Sequence, residues 1–569
     1  ELRARLQLIR DYAELPGAKL PMAKAGLGRA EERARYILKD RGSRHFVAIA
    51  RPSYPLVNLL TRYPEHLRGF EVERVHLRVN PTRDEADRPI ARLLVGGLSQ
   101  PSVARRISQV ETERRIAELE GSGALDEETE AMLAELRAGL DRPDEEIGNS
   151  GLERWFEPEL AGRNGFHESG GLADRETGAR GRPVIDKVDG LDLTTTLDAS
   201  LQAEAEYCLE HPEGDRVASN SDQNWLAKPT GAIVLISLTG DVIVAASVPL
   251  VARPPAEARK LLSDDVRERT LTKPDFQPPG SVFKPFVAAY ALDRLGLDPG
   301  LLRDCSLASN PGGKGPGYGG VHCHETHSGH GPVDLNRALT VSCNSYFAWL
   351  GEQYDSENLR SMAHEFGFGE PTGVRAFDNG VRSGLREDFV GNLFRGRDLE
   401  GRSLREAGNG LSVVEATPMQ IARATAGLAS GRLPQLRLVS RIGDTELPRE
   451  GRELTISKAA LDVVRSAMLA VAGSNEGSAH AALSESELGF AMAAKTGSAD
   501  LTSFAVEDNR VLKHTWVAGW FPAENPVGVL VVFEHRTTRT STHGAIWLAR
   551  QFLRRPAVSA WIAEQTSSR

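Results

Sequence analysis

A serine and a lysine at positions 281 and 284 have a spacing that can support nucleophilic catalysis. A Pro-Pro-Gly sequence interrupts the chain just before Ser281, and apolar residues at helical spacing then continue to Leu295. Lys284 follows Ser281 by three residues, which on a helix places the amine and the hydroxyl on the same face. A serine becomes a good nucleophile when a neighbouring base takes its proton. The alternative interpretation is a helix cap followed by a solvated lysine, because Ser-x-x-Lys is a short motif.

Two later stretches add the groups that such a nucleophile needs. Ser342-Cys-Asn344 lies 61 residues after Ser281 (342 minus 281) and supplies a second hydroxyl and an amide. Lys495-Thr-Gly-Ser lies 153 residues after Ser342 (495 minus 342) and supplies a second cation and two more hydroxyls. Lysine titrates near about pH 10.4, so Lys284 can act as a base only if its pKa is lowered. A second buried cation lowers it, and we expect Lys495 to have this role.

In this order, the three motifs resemble those of the penicillin-binding transpeptidases and serine β-lactamases. The resemblance implies a catalytic set in which Ser281 is the nucleophile, Lys284 its base, and Ser342 the relay of a proton to the leaving amine. Asn344 would hydrogen-bond the peptide of the substrate. Lys495 completes the catalytic set that the resemblance implies.

The resemblance also implies a substrate-binding set in the third motif. Thr496, Gly497 and Ser498 would bind a terminal carboxylate beside the Lys495 charge, although family members usually have Thr in place of Ser498. The backbone N–H groups of Ser281 and Ser498 would form an oxyanion hole, which commonly lowers the barrier of acyl transfer.

By the same resemblance, the chain is a serine D,D-transpeptidase that cross-links peptidoglycan stem peptides through an acyl-enzyme on Ser281. β-Lactams imitate the D-Ala-D-Ala dipeptide and would acylate the same serine. A D,D-carboxypeptidase and a β-lactamase are alternatives within the same fold, although no Glu suited to a deacylating water is evident. A penicillin-sensing receptor domain is an alternative that would be acylated without transferring the acyl group.

The first third of the sequence resembles the pedestal of class B penicillin-binding proteins. The matching stretches are 149–154 and 160–165, and 189–198 resembles the junction between pedestal and catalytic domain. We therefore predict a mixed α/β pedestal (dimerisation-type) domain at 1–187, with strands at 46–50 and 70–78 and a helical insertion at about 103–140. A transpeptidase domain is predicted at 188–569. No glycosyltransferase-like region is evident, which favours a class B protein.

Sequence periodicity in the second domain predicts an α+β fold. The stretches 231–237 and 242–247 are apolar and flank a Thr-Gly-Asp turn, which is typical of a hairpin. An antiparallel sheet flanked by helices is expected, in agreement with the penicillin-binding protein/β-lactamase-like fold. Further strands are predicted at 490–498, 515–521 and 527–534, and helices at 199–210, 281–295, 333–353, 418–429 and 545–554.

Three of the four cysteines fall between the first motif and the end of the second, and a histidine lies among them. Three cysteines and a histidine are a suitable tetrahedral ligand set for zinc. Some class B proteins of the penicillin-binding protein 2 group are similar in binding zinc near this motif. A Cys305–Cys323 disulfide and separate buried thiols are the alternatives, and His322, His324 and His327 are rival ligands. The predicted ligands of this structural Zn²⁺ are Cys305, Cys323, His330 and Cys343.

Composition limits the remaining possibilities. The 569 residues are 40% hydrophobic, which is enough for two domains, and the net charge of −9 argues against a nucleic-acid partner. No organic cofactor is expected.

No apolar run reaches the roughly 18 to 20 residues of a membrane span. Because the sequence begins at Glu1, we expect a separate N-terminal transmembrane anchor and a location at the periplasmic face of the membrane. The cysteine–histidine pattern and the Gly-Leu-Glu-Arg stretch at 151–154 favour an elongation role, with a division role as the alternative. The resemblance implies lipid-linked glycan strands and a RodA/FtsW-type glycosyltransferase as partners.

Overall fold

The computed structural model describes most of the second half of the chain and parts of the first. The strands predicted at 46–50 and 70–78 lie outside the described residues. The described residues are 90–99, 103–120, 127–139, 146–163, 166–167, 183–185, 188–212, 231–247, 278–306, 315–323, 329–374, 398–506, 510–538 and 544–567.

The chain divides into two compact units. The first contains Leu98–Ile147 and Pro158–Leu191, and the second contains Gly148–Glu157 and Asp192–Arg569. The domain boundary at residue 187 stays a prediction.

The elements are numbered here in chain order. The helices are α1 (Arg92–Val95), α2 (Val103–Glu120), α3 (Glu127–Ala138), α4 (Gly151–Trp155), α5 (Glu157–Ala161), α6 (Ala199–Glu210), α7 (Lys284–Arg294), α8 (Leu335–Thr340), α9 (Asn344–Gly351), α10 (Ser356–Glu365), α11 (Arg402–Gly408), α12 (Pro418–Ser430), α13 (Lys458–Gly473), α14 (His480–Leu483), α15 (Glu485–Leu488), α16 (Ala545–Leu553) and α17 (Pro556–Ser567). The strands are β1 (Gly97–Ser99), β2 (Ile147–Ser150), β3 (Phe166–His167), β4 (Pro183–Ile185), β5 (Leu193–Thr195), β6 (Gly231–Ile236), β7 (Val242–Ser247), β8 (Arg303–Ser306), β9 (Gly317–Tyr318), β10 (Val321–His322), β11 (Gly329–Val333), β12 (Arg432–Pro434), β13 (Val439–Ile442), β14 (Thr445–Glu446), β15 (Gly451–Glu453), β16 (Ala493–Val506), β17 (Arg510–Phe521) and β18 (Gly528–Thr538).

In the first unit, α2 and α3 occupy the segment where a helical insertion was predicted. Strands β3 and β4 pair antiparallel, with Phe166 opposite Ile185. Arg163 and Glu135 form an ion pair of 3.4 Å with both side chains largely exposed. Such an exposed pair contributes little to stability.

The second unit is built on a five-stranded antiparallel sheet in the order β16-β17-β18-β6-β7. This arrangement confirms the predicted hairpin and the antiparallel sheet. Every residue of β6 is buried, which explains why its sequence is a continuous apolar run. Among the described residues β16 is the edge strand of the sheet, and the Lys-Thr-Gly-Ser motif that it carries pairs with β17.

Helices pack against this sheet to form the core. Alternate residues of the central strands, among them Ile233, Leu235, Leu530 and Val532, form one buried cluster with residues of α6 and α16. Cys208 on α6 belongs to this cluster and is fully buried, as predicted. Helix α12 is buried along almost its whole length. Helices and an antiparallel sheet in one core confirm the predicted α+β class.

The sequence marks where several of these helices begin. The Asp198 side chain accepts a hydrogen bond from the Leu201 N–H at the start of α6. At the start of α12, Thr417 and Gln420 form a reciprocal capping box, and Pro418 occupies the first helical turn. Each cap satisfies N–H groups that a helix leaves without partners.

Candidate active site

Ser281 lies in a 3-10 turn (Gly280–Phe283) that leads directly into α7. Gly280 has a φ of +56°, and a Cβ atom there would lie 2.4 Å from the Ser498 carbonyl oxygen. Its N–H donates to the Gly410 carbonyl at 2.8 Å. Only glycine fits this position, and the turn is held between β16 and the segment after α11. The predicted helix at 281–295 is therefore a 3-10 turn followed by an α-helix.

Lys284 is the first residue of α7, and its side chain is fully buried. Its Nζ donates to the Asn344 Oδ1 at 2.7 Å and to the Ser342 carbonyl at 3.0 Å. It also lies 5.2 Å from the centre of the Phe347 ring. The structure thus joins the first motif to the second through hydrogen bonds from one amine.

The helix predicted at 333–353 is wrong as a single element, because the chain breaks at Ser342. Helix α8 ends at Thr340 and α9 begins at Asn344, and Ser342 between them has a φ of +57°. A residue other than glycine is uncommon in this left-handed region and is retained there only when its surroundings hold it. The break turns the Ser342 hydroxyl toward Lys495, whose Nζ donates to it at 2.8 Å.

The third motif lies on β16 next to the Ser281 turn. A Cβ atom at Gly497 would be 2.7 Å from the Pro279 carbonyl oxygen, so a side chain there would displace the turn. The Lys495 Nζ also donates to the Thr496 carbonyl at 3.0 Å. Ser498 is exposed and Thr496 is half-buried. The three motifs therefore meet at one place, with the hydroxyls of Thr496 and Ser498 accessible.

Burial lowers the pKa of both lysines. It lowers the pKa of Lys284 to about 8, while the nearby thiols of Cys323, Cys343 and Cys305 oppose this shift. It lowers the pKa of Lys495 well below the usual value, and the charge of Lys284 lowers it further. We expected Lys495 to lower the pKa of Lys284, but burial has that effect, and the repulsion between the amines lowers the pKa of Lys495. In both cases burial shifts the equilibrium toward the neutral amine, and Lys284 becomes mostly neutral above about pH 8.

The four predicted metal ligands are brought together behind the second motif. The ligand atoms of the four residues all lie within 4.8 Å of one another. Cys305 and Cys323 are free thiols, so the alternative disulfide is not formed. The rivals His324 and His327 lie outside the described residues, and His322 is exposed. Among the described residues, Cys305, Cys323, His330 and Cys343 form a set that could hold a metal ion.

Asn344 connects this cluster to the lysine of the first motif. Its backbone N–H donates to the Cys323 sulfur at 3.3 Å, and its Nδ2 donates to the His322 and Cys323 carbonyls at 3.0 and 3.2 Å. Its Oδ1 accepts from Lys284. The amide is thus fixed in one orientation by the segment that carries Cys323.

Two segments that contribute to the site, the turn at 408–410 and the loop that carries Ser478, were not identified from the sequence. The buried Asn409 donates from Nδ2 to the Asn344 carbonyl at 3.3 Å, and Gly410 accepts from the Ser281 turn. Ser478 lies 2.7 Å from the Thr496 hydroxyl. The Gly-Asn-Gly sequence at 408–410 is a turn signal that could have indicated the first contributor. Ser478 has no comparable signal.

Comparison with known proteins agrees with this geometry. Residues 231–551, which make up more than half of the chain, match the family model described as the penicillin binding protein transpeptidase domain. The chain belongs to the family of penicillin-binding protein transpeptidases. The predicted resemblance to the class B proteins of the penicillin-binding protein 2 group is confirmed.

The individual proteins that match this chain have low sequence identity to it, between 18% and 25%. The peptidoglycan D,D-transpeptidase MrdA of Haemophilus influenzae is 25% identical over 517 residues, which cover 84% of this chain and 74% of that protein. MrdA of Salmonella typhimurium is 25% identical over 433 residues, which cover 69% of this chain and 63% of that protein. In a solved complex of penicillin-binding protein 2 with MreC from Helicobacter pylori, the matched chain is 18% identical, with a TM-score of 0.63 and coverage of 99% of this chain and 92% of that one. That structure supports the fold.

Proposed function

We propose that this chain is a serine D,D-transpeptidase that joins peptidoglycan stem peptides through an acyl-enzyme on Ser281. The observation that carries the proposal is the pair of hydrogen bonds from Lys284 to Asn344 (2.7 Å) and from Lys495 to Ser342 (2.8 Å). These bonds bring residues of three distant motifs to one place beside the Ser281 turn.

Lys284 is suited to be the base of the acylation step. A neutral amine has two N–H bonds and one lone pair, and Lys284 has two acceptors, the Ser342 carbonyl and the Asn344 Oδ1. Its lone pair then remains for the Ser281 proton. The Ser281 oxygen attacks the carbonyl carbon between the two D-Ala residues as Lys284 takes the hydroxyl proton.

The leaving group departs with a proton. As the tetrahedral intermediate collapses, the C–N bond breaks, Ser342 gives its proton to the D-Ala nitrogen, and the ester to Ser281 remains. The proton that Lys284 took from Ser281 then restores the Ser342 hydroxyl. In the second half, an amine of another stem peptide attacks this ester and gives a proton to Lys284, which returns it to the Ser281 oxygen as the ester bond breaks. One peptide bond breaks and one forms, so the reaction needs no external energy source.

The third motif recognises the substrate in this proposal. Its hydroxyl groups, on Thr496 and Ser498, donate to the terminal carboxylate beside Lys495, and serine at 498 supplies the same group as the usual threonine. The backbone N–H groups of Ser281 and Ser498 stabilise the oxyanion. Gly280, the residue before Ser281, packs against Ser498, because a Cβ atom on Gly280 would lie 2.4 Å from the Ser498 carbonyl oxygen.

A fluorescent penicillin tests the acyl-enzyme. The wild-type chain is expected to take one covalent label per molecule, and Ser281→Ala is expected to take none. Ser306→Ala, at a serine outside the motifs, is a control that should label fully. Absence of label on the folded wild-type chain, or full labelling of Ser281→Ala, would reject the proposal.

We also propose that Cys305, Cys323, His330 and Cys343 hold a structural zinc ion. In a regular tetrahedral site with bonds of about 2.3 Å to sulfur and about 2.1 Å to nitrogen, two sulfurs lie about 3.8 Å apart and a sulfur and a nitrogen about 3.6 Å apart. The Cys323 and Cys343 sulfurs are 3.8 Å apart. The His330 Nδ1 lies 3.6 Å from the Cys305 sulfur and 3.3 Å from the Cys323 sulfur.

The chemistry of the ligand set and these three distances support zinc binding, and all four ligand atoms lie within 4.8 Å of one another. When bound, zinc would cross-link the segments that carry its four ligands. It would take no part in the reaction, because four protein ligands complete its coordination. Cys343 lies between Ser342 and Asn344, so the ion would fix the second motif from behind. Metal analysis of the chain purified without added zinc is expected to give about one zinc per molecule. A value near zero with reduced cysteines would reject the site.

We propose that the protein lies at the extracytoplasmic face of the membrane, where lipid-linked glycan strands are available. We also propose that it belongs to the elongation machinery. Within the residues described, none of the helices is long and apolar enough to cross a bilayer.

A RodA/FtsW-type glycosyltransferase is the partner we propose. Co-purification of the two full-length proteins from detergent is the test, and separation at low salt would contradict the partnership.

A further inference from the structure

Ser478 lies beside the third motif although it belongs to none of the three. It is in the segment between α13 and α14, and its Oγ is 2.7 Å from the Thr496 Oγ1. Its backbone N–H donates to the carbonyl of Thr340, the last residue of α8, at 3.2 Å. Ser478 is therefore tied both to β16 and to the helix that leads into Ser342.

The segment around Ser478 is held in place on both sides. Glu476 forms an ion pair of 3.0 Å with Arg337 on α8. Arg337 also donates to the His330 carbonyl at 2.8 Å. A Cβ atom at Gly477 would be 2.2 Å from the Val471 carbonyl oxygen, so the chain packs closely there. The ion pair connects this segment to α8, and the close packing at Gly477 connects it to α13.

Each of the two hydroxyls has one proton, and this limits what the pair can do. If Thr496 donates to Ser478, Thr496 has no proton left for a ligand. If Ser478 donates to Thr496, the Thr496 proton is free to point into the cleft. A hydroxyl that itself accepts a hydrogen bond is also the stronger donor to an anion. An anionic ligand at Thr496 therefore selects the second arrangement.

We propose that Ser478 is a positioning residue of the carboxylate site. Its hydroxyl donates to the Thr496 Oγ1, so that Thr496 donates to the terminal carboxylate of the substrate or of a β-lactam. Ser478 itself is exposed and acts through Thr496. This inference rests on the proposed function, since it assigns Thr496 to carboxylate binding.

The test compares a penicillin that has a free carboxylate with its methyl ester, which has no anion to orient Thr496. The second-order rate constant of acylation is measured by intact-protein mass spectrometry. Ser478→Ala removes one hydrogen bond between two neutral hydroxyls and is expected to slow acylation by the acid about fivefold, while changing acylation by the ester less than about twofold. Ser478→Thr restores the hydroxyl and most of the rate.

A matched control is Ser486→Ala, which removes one partner of another hydroxyl pair, with Ser484 at 2.9 Å, outside the motifs. It should leave both rates unchanged. Equal losses with the acid and the ester, or no loss with the acid, would overturn the role of Ser478 while the proposed function stands. A folded wild-type chain that takes no label would overturn the proposed function, and this inference with it. Thermal unfolding verifies that each variant is folded.

Discussion

The Lys495 Nζ lies 2.8 Å from the Ser342 Oγ, although 153 residues separate them in the sequence (495 minus 342). On the other side of the same residue, the Lys284 Nζ donates to the Ser342 carbonyl at 3.0 Å. Ser342 thus binds one buried amine with its side chain and the other with its backbone. Ser342 makes both contacts from a left-handed backbone conformation, with a φ of +57°.

Replacing Ser342 with glycine should separate activity from stability. Ser342→Gly removes the hydroxyl that Lys495 contacts, so acylation is expected to fall by roughly 100-fold, the usual contribution of a proton relay. The φ of +57° suits glycine, so the unfolding free energy should change by less than about 1 kcal/mol. Penicillin labelling rates and denaturant unfolding measure the two effects.

Ser342→Ala is the control for this pair of effects, because it removes the hydroxyl and keeps the backbone strain. It should lose activity to the same extent and be less stable than Ser342→Gly by about 1 kcal/mol. If Ser342→Gly is the less stable of the two, the left-handed backbone is not what limits this position.

Replacing Gly280 with alanine should displace the nucleophile. The added Cβ would lie 2.4 Å from the Ser498 carbonyl and would occupy a φ of +56°. We expect a loss of about 1–3 kcal/mol in unfolding free energy and a strongly reduced labelling of Ser281.

Gly296→Ala is the matched control. Gly296 has a φ of +66°, but apart from its chain neighbours no atom of the described residues lies within 4 Å of an added Cβ, so this variant has the backbone strain without the clash. It should cost about 1 kcal/mol and label normally. Equal labelling of the two alanine variants would show that the contact between the turn and β16 does not position Ser281.

Acylation should depend on the protonation of Lys284. Burial places its pKa at about 8, and only the neutral amine can take the Ser281 proton. The rate is therefore expected to rise about tenfold per pH unit below about pH 8 and to level off above it. Stopped-flow acylation with a chromogenic cephalosporin gives the profile, and unfolding midpoints over the same range verify the fold. A flat profile through pH 8 would contradict this role of Lys284.

Removing the proposed zinc should weaken both the fold and the second motif. A chelator with a reductant is expected to lower the Tm by several degrees, because an ion bound only by the native state stabilises it. Labelling of Ser281 should slow, since Cys343 separates Ser342 from Asn344. Cys208→Ser lies outside the cluster and should retain the chelator effect. Identical melting curves with and without chelator would contradict the site.

The sheet and the three motifs were predictable because their signals are local. Strands β6 and β7 are apolar runs on either side of a Thr-Gly-Asp turn, and α6 begins at Asp198, a residue typical of a helix cap. The order of Ser281, Ser342 and Lys495 indicated the family without any structural information.

The break at Ser342 could not be predicted in the same way. Apolar residues continue at helical spacing on both sides of it, so periodicity favours one helix. The break is stabilised by contacts with Lys284 and Lys495, which are 58 and 153 residues away. Likewise, Ser478 is an ordinary loop serine in the sequence, and its position depends on Arg337 and on Thr340, both more than 130 residues earlier. The sequence pattern of one segment does not reveal contacts with residues so far away in the chain.

The covalent adduct is the most direct test of the central claim, that three distant motifs converge to make Ser281 acylatable. The native chain is incubated with a penicillin, digested, and its peptides are sequenced by mass spectrometry. We predict a single modified residue, Ser281, and no adduct at Ser281 when Lys284 is replaced by alanine. An adduct on another residue of the native chain, or an undiminished adduct in Lys284→Ala, would contradict the account.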